Sequence, residues 1–262
     1  MARKSFKNLI QLVDDAVEGD ISVEQLFLND LNHSIQITEE KNTRKPSQTY
    51  KPSGMNCMRQ SYYQIIGIDM DNEVVDVKLT GICESGTDRH ERIQKAVSEM
   101  KENGLDCEYL DVAEFVKERN LDYLDIVAQQ GMETKLFHKV LNISFLCDGI
   151  IKYRDAYYIL EIKTESSFKF NSRTDVNPEH YNQATAYSIA FNLDDVLFLY
   201  ENRDTCDKKV FLFHVTDDMK HNLVSYIEQV DDYVKKLTPP PIPDDTKVCR
   251  YCKYRRQCSS DR

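Results

Sequence analysis

Residues 147–166, CDGIIKYRDAYYILEIKTES, constrain the fold more than any other stretch of the chain. Two apolar, β-branched runs flank the polar pair Arg154–Asp155, the pattern of two strands joined by a tight turn. With that pair as the turn, Tyr153 faces Ala156 and, counting outward, Asp148 faces Glu161. Opposed residues of an antiparallel pair have Cβ atoms about 5 Å apart and share a face. Alternation then puts Lys163 on the same face and turns Ile162 to the other. A solvated hairpin face could carry three such charges without consequence. The runs NISFL before Asp148 and YYIL before Glu161 argue otherwise. They read as buried central strands, where ionised groups need partners. Two facing carboxylates repel unless a cation lies between them, and Mg²⁺ or Mn²⁺ prefers such oxygens. A metal, a lysine and water together are suited to hydrolysing a phosphodiester.

The rest of the chain predicts a mixed α/β domain, with helices flanking a central sheet. Residues 5–33 read as two short amphipathic helices, the second capped by Ser22, and 38–55 as a polar linker. A helix is expected over 56–67, ended by Gly67. Another is expected over 83–104, capped by Ser85 or Thr87 and closed by Gly104. The acidic stretch 108–130 reads as helical. Strands are expected over 133–138, 140–152, 156–164, 195–202 and 208–215. Helices are expected over 178–191, with Asn177 as cap, and over 216–236. Residues 238–243, TPPPIP, form a stiff linker to a cysteine-bearing tail.

The 262 residues are 41% hydrophobic, enough for one large core, and the net charge of -10 argues against coating nucleic acid by bulk charge. The charge is uneven. Residues 41–59 hold five basic residues and no acidic one, and the tail from Lys247 holds six against one Asp. The N-terminus lacks the apolar run of a signal peptide, and no stretch reaches the length of a membrane span. A soluble, cytoplasmic protein is expected, in which eight cysteines serve as metal or structural thiols. Cys249, Cys252 and Cys258 form C-x2-C-x5-C and need a fourth ligand. Cys57, ahead of a basic and aromatic helix, stands out among the remaining five. Spacing leaves zinc and a [4Fe–4S] cluster equal. Lys247, Arg250, Lys253, Arg255 and Arg256 crowd the triplet. They would make bare thiols reactive, and they suit phosphate contacts.

The pattern CDGII…LEIKT resembles the active site of the PD-(D/E)XK nuclease superfamily, in its RecB-like branch. GTDRHERI resembles the helical histidine motif of that branch, which implies a metal-ligand role for His90. YNQATAYSIA resembles its Gln-x-x-x-Tyr motif. Gln183 and Tyr187, four apart on one helical face, are thereby implied to position lysine, water or the DNA backbone. Glu133 is similar to a further acidic position of the family. One cysteine before the core and three after it is similar to the iron–sulfur subgroup, which includes the CRISPR-associated RecB-like exonucleases and AddB-type nuclease domains; a phage-encoded member is one expectation.

The resemblance covers residues 54–258. It implies a restriction-endonuclease-like α/β fold, a mixed sheet flanked by helices, with a cysteine-ligated cluster joining the N- and C-terminal parts. Residues 1–45 would be a helical extension and 46–262 the nuclease domain. The implied activity is that of a DNA exonuclease in recombination, repair or phage DNA processing. Mg or Mn would be held by His90, Asp148, Glu161 and the Ile162 carbonyl, with Lys163 as catalytic lysine. Cys57, Cys249, Cys252 and Cys258 would hold [4Fe–4S], with zinc as the alternative. DNA is the implied partner, with no membrane; residues 1–45, outside the resemblance, read either as a docking element for a protein partner or as a packed N-terminal extension. A rival reading is a CRISPR adaptation subunit or DNA-binding adaptor that trims ends within a complex. A zinc-ribbon protein without catalysis leaves the charged hairpin unexplained.

Overall fold

The hairpin that dominates the sequence is the centre of a five-stranded mixed sheet. In the computed structural model, which describes residues 22–41, 47–71, 75–244, 246–249 and 252–261, the strands are β1 (Cys107–Leu110), β2 (Leu124–Gln130), β3 (Glu133–His138), β4 (Ile143–Cys147), β5 (Gly149–Tyr153), β6 (Ala156–Glu165), β7 (Asp195–Asn202) and β8 (Lys208–His214). The main sheet runs β1-β5-β6-β7-β8, and a second sheet runs β2-β3-β4. All neighbours are antiparallel except β6 and β7. A parallel pair needs a crossover, which here carries helices α5 (Ser167–Ser172) and α6 (Tyr181–Phe191). The other helices, numbered in chain order, are α1 (Val23–Lys41), α2 (Met58–Ile65), α3 (Val77–Ser98), α4 (Val112–Glu118), α7 (Asp217–Lys235) and α8 (Arg255–Ser260).

The chain divides into two units. One comprises Met1–Arg44 with Glu73–Ile82, the other Lys45–Asn72 with Cys83–Arg262. In the first, α1 is one 19-residue helix with no buried residue. Two short helices and a linker from 38 were expected; the expected start at 5–21 lies outside the described residues. Ser22 does cap α1, accepting from the Gln25 amide at 3.4 Å.

In the second unit, β6 sorts the core by its alternation. Ile159 faces a large cluster with Ala184, Tyr187 and Phe191 of α6 and Leu223, Ile227 and Val230 of α7. Leu160 and Ile162 face a smaller cluster under Ile93 of α3. The sheet is thus covered on both faces, as a mixed α/β arrangement requires.

Three expectations are corrected. Residues 108–130 are strand, helix and strand, not one helix: Asp111 caps α4 by accepting from the Glu114 amide at 2.8 Å. The helix expected from 83 starts at Val77, so Ser85 and Thr87 lie inside it rather than capping it. It stops at Ser98, and Gly104 closes the turns that follow with φ +78°. The strand expected over 140–152 is broken at Asp148, where the chain leaves the small sheet and enters the large one.

Candidate active site

The break at Asp148 is held open by two side chains. The Asp148 carbonyl accepts from the Tyr109 hydroxyl at 2.5 Å and from Gln94 Nε2 at 2.7 Å. Both lone pairs of a carbonyl outside the strand ladders are thereby satisfied. Gly149 makes room for this arrangement, since a Cβ there would lie 2.6 Å from the Tyr109 ring.

The turn-based pairing holds from Tyr153↔Ala156 to Gly149↔Leu160. Asp148 itself stands just outside the ladder. Its Oδ2 accepts from the Ile162 amide at 2.6 Å, and its Oδ1 faces His90 Nδ1 at 3.2 Å. Glu133 Oε1, from the start of β3, lies 3.3 Å from the same nitrogen. His90, Glu133 and Asp148 therefore offer ligand atoms all within 4.8 Å of one another. Burial pulls the His90 imidazole down, but its bonds to Asp148 and Glu133 and the charges around it push it up to about 10.

α3 carries His90 and is anchored beside it. Glu201 at the end of β7 is fully buried. It meets Arg89 Nη1 at 3.0 Å, Arg92 Nη2 at 2.6 Å and Lys208 Nζ at 3.3 Å. Burial favours a neutral Glu201, yet these cations hold its pKa below the ordinary value. A single Arg–carboxylate pair on a surface contributes little; here Arg89 and Arg92 of α3 meet one buried carboxylate of β7, with Lys208 of β8 on its other oxygen, and the helix is tied to the sheet.

Glu161 and Lys163 point to the α6 side of the sheet. Glu161 Oε1 accepts from Lys163 Nζ at 2.5 Å and from Gln183 Nε2 at 2.7 Å. Gln183 Oε1 accepts from Lys163 at 3.0 Å, and its Nε2 also donates to the Tyr187 hydroxyl at 2.7 Å. Tyr187 in turn donates to the Leu146 carbonyl at 2.7 Å. Acceptor towards the ammonium and donor towards the carboxylate is the orientation that satisfies the amide. Burial raises the Glu161 pKa above the usual carboxylate range. It also pulls Lys163 down, but the Glu161 charge outweighs it and leaves the lysine above its ordinary value.

Among the described residues, one buried side-chain polar atom is left over. Glu161 Oε2 has no hydrogen-bond partner there, an arrangement that costs a buried acceptor about 1–3 kcal/mol. Carboxylate oxygens with one imidazole suit a hard divalent cation. The donor set of His90, Glu133 and Asp148, with the orphan oxygen of Glu161 in the same charge cluster, fits such an ion.

All of the acidic, basic and amide residues expected at the site are thus brought together. Ile162 takes part through its amide, while its side chain is buried on the opposite face. Gln94, Tyr109 and Gly149 were not anticipated. Gln94 follows His90 by four residues, so the helical face itself was a usable signal. Tyr109 gave none, because its segment read as helix.

The four cysteines also converge. Cys57 precedes α2, Cys249 ends a short 3₁₀ turn and Cys258 lies in α8. With Cys252 they line one small pocket, together with Arg59 and Tyr63. Hydrogen bonds tie the tail to the N-terminal part around it. Arg59 donates to the Pro240 carbonyl at 2.8 Å and to the Asp261 carbonyl at 2.9 Å, and the Asp71 amide to the Lys253 carbonyl at 2.7 Å. Burial raises the Cys57 and Cys252 thiols, and the neighbouring sulfurs add to it. Arg250 lies outside the described residues, as does the side chain of Lys247.

No protein-family model matches the chain, and no curated protein matches it. Among solved structures it is similar to the protein SSO0001, at 16% identity and TM-score 0.45, over 90% of this chain and 98% of that one. It is also similar to an alkaline exonuclease from Laribacter hongkongensis, at 10% identity and TM-score 0.42, over 73% and 92%. A third likeness is to a putative exonuclease from Eubacterium rectale, at 11% and 0.34, over 91% and 93%. Likenesses this loose carry no argument about function. No described helix is long and apolar enough to cross a membrane.

Proposed function

We propose that this protein is a metal-dependent deoxyribonuclease of the RecB-like PD-(D/E)XK type, acting as an exonuclease in DNA recombination, repair or phage DNA processing. The observation that carries this reading is the linked pair of networks. Asp148, His90 and Glu133 offer ligand atoms within 4.8 Å of one another, and Glu161, beside them, holds Lys163 through one oxygen while the other has no hydrogen-bond partner among the described residues.

Mg²⁺ or Mn²⁺ bound by His90, Glu133, Asp148 and Glu161, with the Ile162 carbonyl beside them, would polarise the scissile phosphate and acidify a bound water. The protein's own residues do the positioning. An ammonium has three N–H donors, and Lys163 uses two on Glu161 and Gln183. The third is left for the phosphate oxygen or the attacking water, where negative charge develops in the transition state. Gln183 and Tyr187 fix Lys163 and Glu161 from α6, so the lysine meets substrate without reorganising. Cys57, Cys249, Cys252 and Cys258 are assigned a [4Fe–4S] cluster that closes the tail onto α2. Residues 1–45 are read as a helical extension able to dock a protein partner.

The test is digestion of end-labelled single- and double-stranded DNA with Mg²⁺, Mn²⁺ or chelator. Cleavage is expected only with metal, and Glu161→Ala and Lys163→Ala should each abolish it while circular dichroism shows a folded protein. Metal-dependent cleavage retained in both variants would sink the assignment.

A further inference from the structure

The active-site network opens on one side into a polar cleft, with Lys163 in its wall. The cleft lies beyond the carboxyl ends of the parallel strands β6 and β7, bounded by the crossover between them. Open α/β sheets present ligand sites at such places.

The charges lining this cleft are unequally matched. Glu165 is bridged by Arg173 through two bonds, at 2.6 and 2.7 Å. Glu179, at the rim, accepts from Asn177 Nδ2 at 3.2 Å. Lys169 and Arg203 are the opposite case. Neither charged head donates a hydrogen bond to any described residue; Asp204, whose charge Arg203 feels, is already bound by the hydroxyl and amide of Ser167. Two cations therefore face a polar cleft with donors to spare.

His180 adds a neutral imidazole to the same lining. Its Nδ1 lies 3.0 Å from the Tyr200 hydroxyl, which accepts from the Asn177 amide at 3.2 Å. In the tautomer in which that hydroxyl donates to Nδ1, the imidazole proton is on Nε2 and can be donated to a ligand. Burial, followed by the charges of Lys163, Arg173 and Lys169, holds the His180 pKa down to about 3. It is neutral at any working pH, and the cations acting on it mark the field there as positive.

We propose that this cleft binds one phosphate group of the nucleic-acid strand, next to the scissile bond, through Lys169, Arg203 and His180. Two cationic heads and an imidazole N–H donor suit the tetrahedral oxygens of a phosphate. Continuity with Lys163 places that phosphate beside the one being cut. The proposal rests on the nuclease reading above and extends it to how the strand is seated.

The test combines Lys169→Ala with Arg203→Ala, two side chains whose heads hold nothing in the protein. Lys235→Ala with Lys236→Ala, on exposed positions at the end of α7, removes the same charge elsewhere. Binding of a fluorescent single strand is followed in chelator across a salt series, on oligonucleotides ending in a 5′-phosphate or a 5′-hydroxyl. The cleft variant is expected to bind roughly tenfold more weakly, with a log–log salt slope shallower by about 0.7 for each phosphate no longer neutralised. In Mn²⁺ its KM should rise while kcat stays within a few-fold. A loss confined to 5′-phosphorylated strands identifies a terminal phosphate, and an equal loss on both identifies an internal one. If the cleft variant binds and cuts like the control pair while the wild type is active, the cleft is not a phosphate site. A wild type that neither binds nor cuts DNA overturns the nuclease reading and this proposal with it.

Discussion

Gly149→Ala tests how firmly the backbone at Asp148 is held. The added Cβ would lie 2.6 Å from Tyr109 Cε2, 2.7 Å from its hydroxyl oxygen and 2.8 Å from Cζ. Ordinary contact begins at 3.4 Å, so the ring must retreat by at least about 0.8 Å, the difference between 3.4 and 2.6. Its hydroxyl now donates to the Asp148 carbonyl at 2.5 Å, and a retreat of that size stretches the bond to as much as about 3.3 Å, beyond the usual range for O–H···O. Overpacking of a tight site costs about 1–3 kcal/mol, and the weakened hydrogen bond adds up to about 1 kcal/mol. Gln94 still holds the carbonyl, so the fold should survive with a lower urea midpoint and an unchanged m-value. The effect on cleavage should be larger, because a catalytic group misplaced by about 1 Å can lose roughly 10²-fold in rate. The double variant Gly149→Ala/Tyr109→Ala removes the clash, so it should be less destabilised than the sum of the two single changes. Additive losses, or a Gly149→Ala enzyme with wild-type kcat, would show that Tyr109 does not position Asp148.

Other consequences can be measured directly. The folded-state pKa of His90, about 10, lies above its unfolded value of about 6.5. Its contribution to metal-free stability is therefore complete below about pH 6.5 and lost as pH rises through 10. Burial of Glu161 acts with the same sign. Tm in chelator should fall across that window, and His90→Asn should make the fall shallower; an unchanged slope refutes the assignment. Gln183→Leu removes the acceptor for Lys163 and the donors for Glu161 and Tyr187, so cleavage should drop roughly 10²-fold with KM little changed. Cys57→Ser and Cys252→Ser should each abolish absorbance near roughly 400 nm in anaerobically purified protein and lower Tm. A colourless wild type carrying stoichiometric zinc would mean that the cluster assignment is wrong.

The hairpin register was legible because it depends on local rules: a two-residue turn and a side-chain period of two fix every pairing from Tyr153↔Ala156 outward. The break at Asp148 was not, because NISFLCDGII is equally apolar on both sides of it. What decides the break is remote. β4 pairs with β3, while β5 pairs with β1 and β6, so the strand changes sheets in mid-run. β2 escaped notice for a different reason. It is an edge strand with mostly exposed positions, and its sequence, LDIVAQQ, lacks the apolar alternation of a half-buried strand. The early start of α3 was hidden because its first turns belong to the other unit, leaving Ser85 and Thr87 as plausible but false caps. Gln183 and Tyr187 stood out through the motif they resemble, since their spacing gives only a shared helical face; that both of them reach Glu161 through one amide required the sheet and α6 to be assembled.

The protonated His90 also bears on how the cation site is filled. Its Nδ1 bridges Asp148 Oδ1 and Glu133 Oε1, the same oxygens a divalent ion would take. Without an ion, the imidazolium supplies the positive charge that two carboxylates at this distance require. A cation and that proton therefore compete, and a histidine can ligate a metal only in its neutral form. Binding should release one proton at any pH below about 10 where the carboxylates are ionised, which makes the apparent Mn²⁺ affinity rise about tenfold per pH unit. Calorimetric titration of Mn²⁺ in buffers of different ionisation enthalpy counts the protons released, and Tm shifts at fixed Mn²⁺ give the slope independently. Zero proton release near pH 7.5, with saturable Mn²⁺ binding, would mean that the ion takes Asp148 and Glu161 without displacing His90 from its carboxylates. In that case the imidazolium would be a permanent clamp on the break between β4 and β5, and the metal ligands would be carboxylates alone.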